Sequence, residues 1–388
     1  YTVSMKKLLY LCCAAAVAVG TFSSFGFAKA PEAALTTGCK SAYLMDFDSG
    51  ECIYRENETL RTPIASVCKV MTLTLCFDAV ESGALSLDEE VFISENASGM
   101  GGSQIFLESN KSYPLSELIK SIVVCSANDS CVAVAEKISG SEEAFVADMN
   151  EKAAELGLSD TLFANCTGLP KDTQYSSAAD VAKMFANLLR HEEYFNYSKI
   201  WLEDFTHDGG RTTSMTNTNK LIRSYNGCDG GKTGFTNEAG FCLASTAKRE
   251  NMRLVSVVLG ADTSEHRFVS AAKIFDYGFA NYKNKIILDK TVTLNDEFSL
   301  KGGKKPTYQV MPKDDCYMFT ERGKDVNAEF VVNDFNVRAP VSKGQVVGRI
   351  EVYKDGVLYK TVEVISAEDV KKASCLDRLK WVSDGWSL

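Results

Sequence analysis

Residues 63–83 describe a helix with almost no polar face, and this constrains the chain most. Pro63 suits a first helical turn and Gly83 suits a stop. Between them Ile64, Val67, Val70, Met71, Leu73, Leu75, Phe77 and Val80 fall nearly all round the cylinder. A helix of this kind is buried on every side, so the fold must supply layers around it. Two polar residues interrupt its beginning. Ser66 and Lys69 are three apart and would share one face. Apolar surroundings disfavour the charged form of a lysine. A neutral amine beside a hydroxyl can take its proton and turn it into a nucleophile.

The rest of the chain offers such layers. Residues 41–54 read as a hairpin, with Ala42, Leu44 and Phe47 before the turn residues Asp48-Ser49-Gly50 and Cys52, Ile53 and Tyr54 after them. Residues 115–139 read as two helices broken at Ser126-Ala127-Asn128-Asp129, and residues 142–156 and 178–189 as two more. Residues 91–112, with Ser98-Gly99-Met100-Gly101-Gly102-Ser103, read as a mobile loop. No strand and no Gly-Lys-Ser/Thr flank it, which argues against a phosphate cradle. After Gly227 the period changes. Residues 240–247 and 252–259 read as neighbouring strands, and 267–282 as a helix. Strands at both ends with helices between imply one sheet assembled around a helical insertion. From about Ile286 short strands alternate with Gly and Asp turns, ending in a hairpin of 347–352 and 357–364 around Asp355-Gly356. A chain of 388 residues is expected to form two domains. The expected class is α+β: an antiparallel sheet flanked by helices over 31–285, then a small all-β domain over 286–366.

Ser-x-x-Lys occurs four times, beginning at Ser4, Ser66, Ser245 and Ser270. Ser4 falls in an expected leader. Ser245 lies on an expected strand, where positions i and i+3 point to opposite faces. Ser270 and Lys273 sit among alanines and polar residues and read as a surface helix face. Only Ser66 opens a buried helix. Ser126-Ala127-Asn128 stands at a helix break, although Ser94-Glu95-Asn96 and Ser224-Tyr225-Asn226 share its pattern. Lys232-Thr233-Gly234 occurs once, just before the strands. The three motifs in this order are far more specific than any one, and they form the signature of penicillin-binding proteins and serine β-lactamases.

On these residues the chain resembles the low-molecular-mass penicillin-binding proteins, serine peptidases that act as D-alanyl-D-alanine carboxypeptidases. The wording around each motif agrees: Thr62-Pro63-Ile64-Ala65-Ser66, Ser126-Ala127-Asn128-Asp129 and Gly230-Gly231-Lys232-Thr233-Gly234-Phe235-Thr236. Ala339-Pro340-Val341-Ser342-Lys343-Gly344 looks like part of the β domain these enzymes carry. The resemblance implies a transpeptidase/β-lactamase-like first domain. It implies that Ser66 attacks the carbonyl between two D-alanines, Lys69 takes its proton, and Ser126 relays a proton to the leaving amine. Asn128 would hold the local network. Lys232, Thr233 and Arg267 would meet the substrate carboxylate, and Gly234 would leave room for the peptide. The backbone N–H groups of Ser66 and Phe235 would hold the oxyanion. The implied partners are the peptidoglycan pentapeptide as substrate and β-lactams as covalent inhibitors, with no cofactor and no metal. Two departures stand out. Cys68 occupies a position where threonine is usual, and Gln174 precedes Tyr175 where the family often has histidine. Gln174 cannot act as a base, so deacylation would fall to Lys69 and Ser126.

Other chemistries fit poorly. His191, His207 and His266 are the three histidines, and no Gly-x-Ser-x-Gly or His-Glu-x-x-His occurs, which disfavours a Ser-His-Asp triad and a zinc peptidase. All three read as surface residues. A formal net charge of −9 argues against nucleic acid as a partner. Lys6 and Lys7, the apolar run 8–20 and Ala28-Lys29-Ala30 read as an export signal over 1–30, with Tyr1 to Ser4 preceding an expected start at Met5. Of 13 cysteines, Cys12 and Cys13 fall in that signal. The remainder include no Cys-x-x-Cys, and several lie in apolar runs, so most read as free and buried. At the other end, Val370, Ala373, Leu376, Leu379, Val382 and Trp386 recur every three to four residues. Residues 367–388 therefore read as an amphipathic tail that could lie in the membrane interface. The expected location is the extracytoplasmic face of the bacterial membrane or the wall. The leading expectation is a serine-type D,D-carboxypeptidase. A D,D-endopeptidase, a serine β-lactamase and an inactive wall-binding protein remain as alternatives.

Overall fold

A computed structural model describes residues 34–294, 297–377 and 379. The expected leader and the outer tail, including Val382 and Trp386, lie outside the described residues. The first domain is built on a five-stranded antiparallel sheet with the order Cys52–Glu56, Ser41–Asp46, Met252–Ala261, Gly240–Arg249, Cys228–Thr236. Two strands come from the beginning of the domain and three from its end, as the change of period implied.

Both faces of the sheet are covered, which is why its strands read as nearly continuous apolar runs. Alternate residues belong to different cores. Met45, Ala244, Val255 and Val257 pack with the helical insertion, while Leu44, Leu243, Leu254 and Val258 pack with Ala271, Ile274 and Phe275. Ala271, Ile274 and Phe275 lie on helix Ser264–Asn281, whose start is capped by the Thr263 hydroxyl accepting from the His266 N–H. Helix Lys69–Glu81 runs through the larger core, with Val70, Met71, Leu73, Cys76 and Phe77 fully buried. Leu115–Val124, Asn128–Ser139, Glu142–Glu155 and Ala178–Leu188 contribute to the same core.

The structure corrects several expectations. Residues 91–112 do not form a loose loop. Strands Glu90–Phe92 and Ser112–Pro114 pair, Glu95–Ser98 forms a helical turn capped by Ser94, and Val91, Ile93, Ile105 and Leu107 are buried. Isolated apolar side chains in a polar, glycine-rich stretch gave no period to read. A hairpin of Leu202–Thr206 and Thr212–Thr216 was not foreseen either. His191 and His207 are buried rather than exposed: His191 stacks on Phe77, and His207 lies between Tyr113 and Thr213. Ser270 is also buried, and its hydroxyl accepts from the Thr37 backbone N–H.

The second domain is all-β. Its main sheet has the order Glu297–Ser299, Thr307–Pro312, Val357–Ser366, Val346–Lys354, Ala328–Asp334, and Tyr282–Leu288 pairs with Cys316–Glu321 beside it. The foreseen hairpin is present, with Asp355 (φ 51°) and Gly356 (φ 79°) both left-handed, as a tight two-residue turn requires. Val370 and Ala373 pack into this domain instead of joining a tail face, since Val370 pairs with Val341 and the Ala373 N–H bonds to Gly302. Leu376 and Leu379 are exposed. Among the described residues no helix is long and apolar enough to cross a membrane, and no cysteine is paired.

Candidate active site

Ser66 does not lie inside the α-helix. It sits in a 3-10 turn, Ala65–Cys68, that runs directly into Lys69–Glu81. Ala65 before it has φ 47°, a left-handed conformation that costs a non-glycine residue energy and recurs where geometry is functional. Two glycines let other segments reach this turn. A Cβ on Gly168 would stand 2.1 Å from the Ala65 carbonyl oxygen, and one on Gly234 would stand 2.6 Å from the Ile64 oxygen. Neither position tolerates a side chain.

The Lys69 ammonium nitrogen lies 2.9 Å from Ser66 Oγ and 2.7 Å from Asn128 Oδ1, and it also meets the Thr167 carbonyl oxygen. Lys69 is completely buried and its three acceptors come from three separate segments. The Asn128 amide is held on its other side, with Nδ2 donating to the Gly101 oxygen at 2.7 Å and the backbone N–H donating to the Ser103 oxygen at 2.7 Å. Asp129 clamps the same glycine-rich stretch by accepting from the N–H groups of Ile105 and Leu107. The stretch is thus a fixed wall of the site.

Ser126 sits at the helix break with φ 67°. Its hydroxyl accepts from Lys232 Nζ at 2.7 Å, and Lys232 also donates to the Thr233 carbonyl at 3.0 Å. Burial, and then the charge on Lys69, hold the Lys232 ammonium well below the usual lysine range. Lys232, Thr233 and Gly234 lie on the edge strand Cys228–Thr236, so its outer side is free to pair with an extended peptide. Arg267 is brought to this strand, with Nη1 donating to the Gly234 and Cys242 carbonyls at 3.1 and 3.3 Å. Burial lowers its guanidinium to about 10. Phe235 is half exposed and stacks on Phe241 with ring centroids 4.3 Å apart. The structure therefore gathers Ser66, Lys69, Ser126, Asn128, Lys232, Thr233, Gly234, Phe235 and Arg267 around one strand edge. No histidine joins them.

A family model described as D-alanyl-D-alanine carboxypeptidase matches residues 28–263. The chain belongs to the D-alanyl-D-alanine carboxypeptidase family. A second model, the penicillin-binding protein 5 C-terminal domain, matches residues 282–372. The D-alanyl-D-alanine carboxypeptidase DacF of Bacillus subtilis is 37% identical, with 95% of each chain covered. DacA of Escherichia coli is 33% identical, covering 84% of this chain and 81% of the relative. Penicillin-binding protein 5 from Haemophilus influenzae superposes with a TM-score of 0.65 at 31% identity, covering 86% of this chain and 98% of that one. The penicillin-binding protein D2 of Listeria monocytogenes, solved in its ampicillin-bound form, gives 0.56 at 31% identity over 62% of this chain and 98% of that one. The protein is a serine-type carboxypeptidase of the penicillin-binding class.

Several parts of this carboxypeptidase site were not legible in its motifs. The Thr167 carbonyl carries no sequence signal, because every residue has one. It is held in place by a chain of side chains. Gln174 Oε1 accepts from the N–H groups of Ala164 and Asn165 at 2.9 and 3.1 Å, and Asn165 Oδ1 in turn accepts from those of Thr167 and Gly168 at 3.2 and 2.7 Å. Gln174 thus supports the segment behind Lys69. Cys68, the other departure, donates from Sγ to the Asn165 carbonyl at 3.2 Å, and burial pushes its thiol up to about 12. A thiol there makes the hydrogen bond a threonine hydroxyl could make.

Proposed function

We propose that Ser66 is the nucleophile that cleaves the bond between the two terminal D-alanines of a peptidoglycan stem peptide. The observation that carries this reading is the 2.9 Å contact between Nζ of the buried Lys69 and Oγ of the partly exposed Ser66. Lys69 takes the Ser66 proton as Oγ bonds to the penultimate carbonyl carbon. The N–H groups of Ser66 and Phe235 receive the oxyanion, and the closeness of Gly234 to Ser66 N supports this pairing. The C–N bond then breaks, and Ser126 passes a proton to the departing D-alanine amine. Water attacks the ester, and Lys69 with Ser126 serve the proton transfers, since Gln174 is committed to backbone N–H groups.

Lys232 and Thr233 receive the terminal carboxylate, and Asn128 fixes Lys69. Arg267 acts through the strand it braces. In this reading residues 31–285 carry the chemistry and residues 286–366 form the appended β domain, although the second family match starts at residue 282 and strand Tyr282–Leu288 crosses the boundary. The expected leader and the wall substrate support export to the extracytoplasmic face. The exposed Leu376 and Leu379 are in line with a tail, within 367–388, that lies in the membrane interface.

The test is to incubate the purified protein with a labelled penicillin and locate the adduct, then supply a peptide ending in D-Ala-D-Ala. Label on Ser66 with release of D-alanine is expected. An unlabelled Ser66 overturns the assignment. Among the described residues no carboxylate hydrogen-bonds to Ser66, Lys69, Ser126 or Lys232, so penicillin turnover is expected to be slow; rapid turnover would favour a β-lactamase. Release only from cross-linked peptides would favour an endopeptidase.

A further inference from the structure

The hairpin of Leu202–Thr206 and Thr212–Thr216 takes no part in the mechanism above, yet it reaches the wall of the site. Thr213 Oγ1 donates to the Ile105 carbonyl at 3.1 Å. Asp129 accepts from the N–H of the same Ile105, in the wall that holds Asn128 through the Gly101 and Ser103 carbonyls. Asn128 in turn accepts from Lys69. One line of contacts therefore runs from the hairpin to the catalytic amine.

His207 closes the outer end of this line. It is 3% exposed, and its ring packs edge-on against Tyr113 and Phe205. Nε2 lies 2.9 Å from Thr213 Oγ1, and Nδ1 lies 3.3 Å from the Tyr113 hydroxyl. Counting protons fixes the form of the ring. A carbonyl oxygen only accepts, so the single Thr213 proton goes to Ile105. The Thr213 oxygen must then accept from Nε2–H. Nδ1 of the neutral ring carries no proton and accepts from Tyr113, whose buried hydroxyl is held above the usual phenol range. Every group in the line is satisfied while the ring is neutral. A second proton, on Nδ1, would face the Tyr113 O–H, which has no other acceptor among the described residues. The surrounding charges oppose that second proton. Burial, and then Arg211, hold His207 below the ordinary histidine range, and Glu108 and Asp129 offset them only in part. Arg211 pairs with Glu108 at 3.2 Å, and Lys111 with Asp208 at 3.3 Å.

We propose that neutral His207 is a positioning residue that latches the Ile105 wall through Thr213, and that protonating it releases the wall and slows acylation of Ser66. The proposal rests on the carboxypeptidase reading and adds to it a proton-dependent control from outside the catalytic groups.

The experiment follows acylation by a labelled penicillin against pH, with the isotope-labelled ring nitrogens of His207 recorded by NMR over the same range. The ring should be the Nε2–H tautomer, and acylation should fall about tenfold as it titrates, within the scale for a misplaced catalytic group. His207→Gln offers an amide that donates to Thr213 and accepts from Tyr113 without titrating. It should keep most of the acylation rate and lose this acid limb. Thr213→Val cuts the line at its middle and should be slow at every pH. An Nδ1–H tautomer, a ring that titrates without change in acylation, an acid limb that survives in His207→Gln, or a Thr213→Val enzyme acylated at the wild-type rate each overturns the latch and leaves the carboxypeptidase reading standing. Absence of label on Ser66 at every pH overturns both.

Discussion

Two buried lysines stand on opposite walls of the site, and the walls are built differently. On the helical wall Lys69 has three oxygen acceptors, drawn from Ser66, Asn128 and Thr167. On the strand wall Lys232 has two, the Ser126 hydroxyl and the carbonyl of its own neighbour Thr233. Neither has a carboxylate partner among the described residues. Burial and the nearby charge on Lys69 disfavour the ammonium form of Lys232. An incoming substrate carboxylate supplies the partner it lacks. The difference separates two tasks: the helical wall fixes an amine against a hydroxyl, and the strand wall keeps a cation under-compensated until an anion arrives.

The largest expected effects test the helical wall. Ser66→Ala should abolish the covalent penicillin adduct seen by mass spectrometry. Lys69→Ala should slow acylation about 10³-fold, within the usual scale for removing a positioned base. Lys232→Ala should lower kcat/KM for a D-Ala-D-Ala peptide by about 10²-fold, because truncating one member of a buried charged pair costs on the order of 3 kcal/mol. An equal loss in acylation by a penicillin ester lacking the carboxylate would break the distinction, since the strand wall would then serve the chemistry and not the carboxylate.

The pH profile sharpens the same comparison. Lys232 has a depressed pKa, so its ammonium is present at low pH and is lost as pH rises through that depressed value. The alkaline limb of kcat/KM should therefore follow Lys232. Lys232→Arg keeps its charge at all working pH values and should move that limb upward. An unmoved limb would assign it elsewhere. A smaller effect tests the support of the helical wall. Gln174→Ala releases the Asn165 segment that holds the Thr167 carbonyl, and should slow acylation about tenfold with little change in KM, as expected when a catalytic group is misplaced rather than removed. A loss confined to KM would show that Gln174 acts on substrate instead. Smallest of all, Lys354→Ala breaks a contact with Glu51 between the β domain and the first domain. It is remote from both walls and should change kcat/KM less than twofold.

The motifs were legible because they are side-chain chemistry at fixed spacing. Ser66 and Lys69 announce themselves by their place in a run that is otherwise apolar, and Lys232-Thr233-Gly234 by its place before two apolar strands. The strands themselves were legible by period, and the Asp355-Gly356 turn by its residues. What escaped was mostly backbone. The left-handed conformations of Ala65 and Ser126 and the Thr167 carbonyl leave no mark that separates them from their neighbours. Burial of His191, His207 and Ser270 escaped for another reason. Each is covered by segments far away in the chain, which a local pattern does not report. The tail periodicity misled in part, because Val370 and Ala373 answer to Val341 and Gly302 and not to Leu376.

The sequence alone determined the buried helix Lys69–Glu81, the nearness of Ser66 to its start and the order of the partner motifs, because composition and spacing act locally; that Ser66 itself lies in a 3-10 turn was not legible. Tertiary structure decided which oxygen atoms surround each lysine, and so which amine is held against Ser66 and which cation is left short of partners. Those acceptors come from segments up to about a hundred residues away, joined only when the sheet closes around the helical insertion.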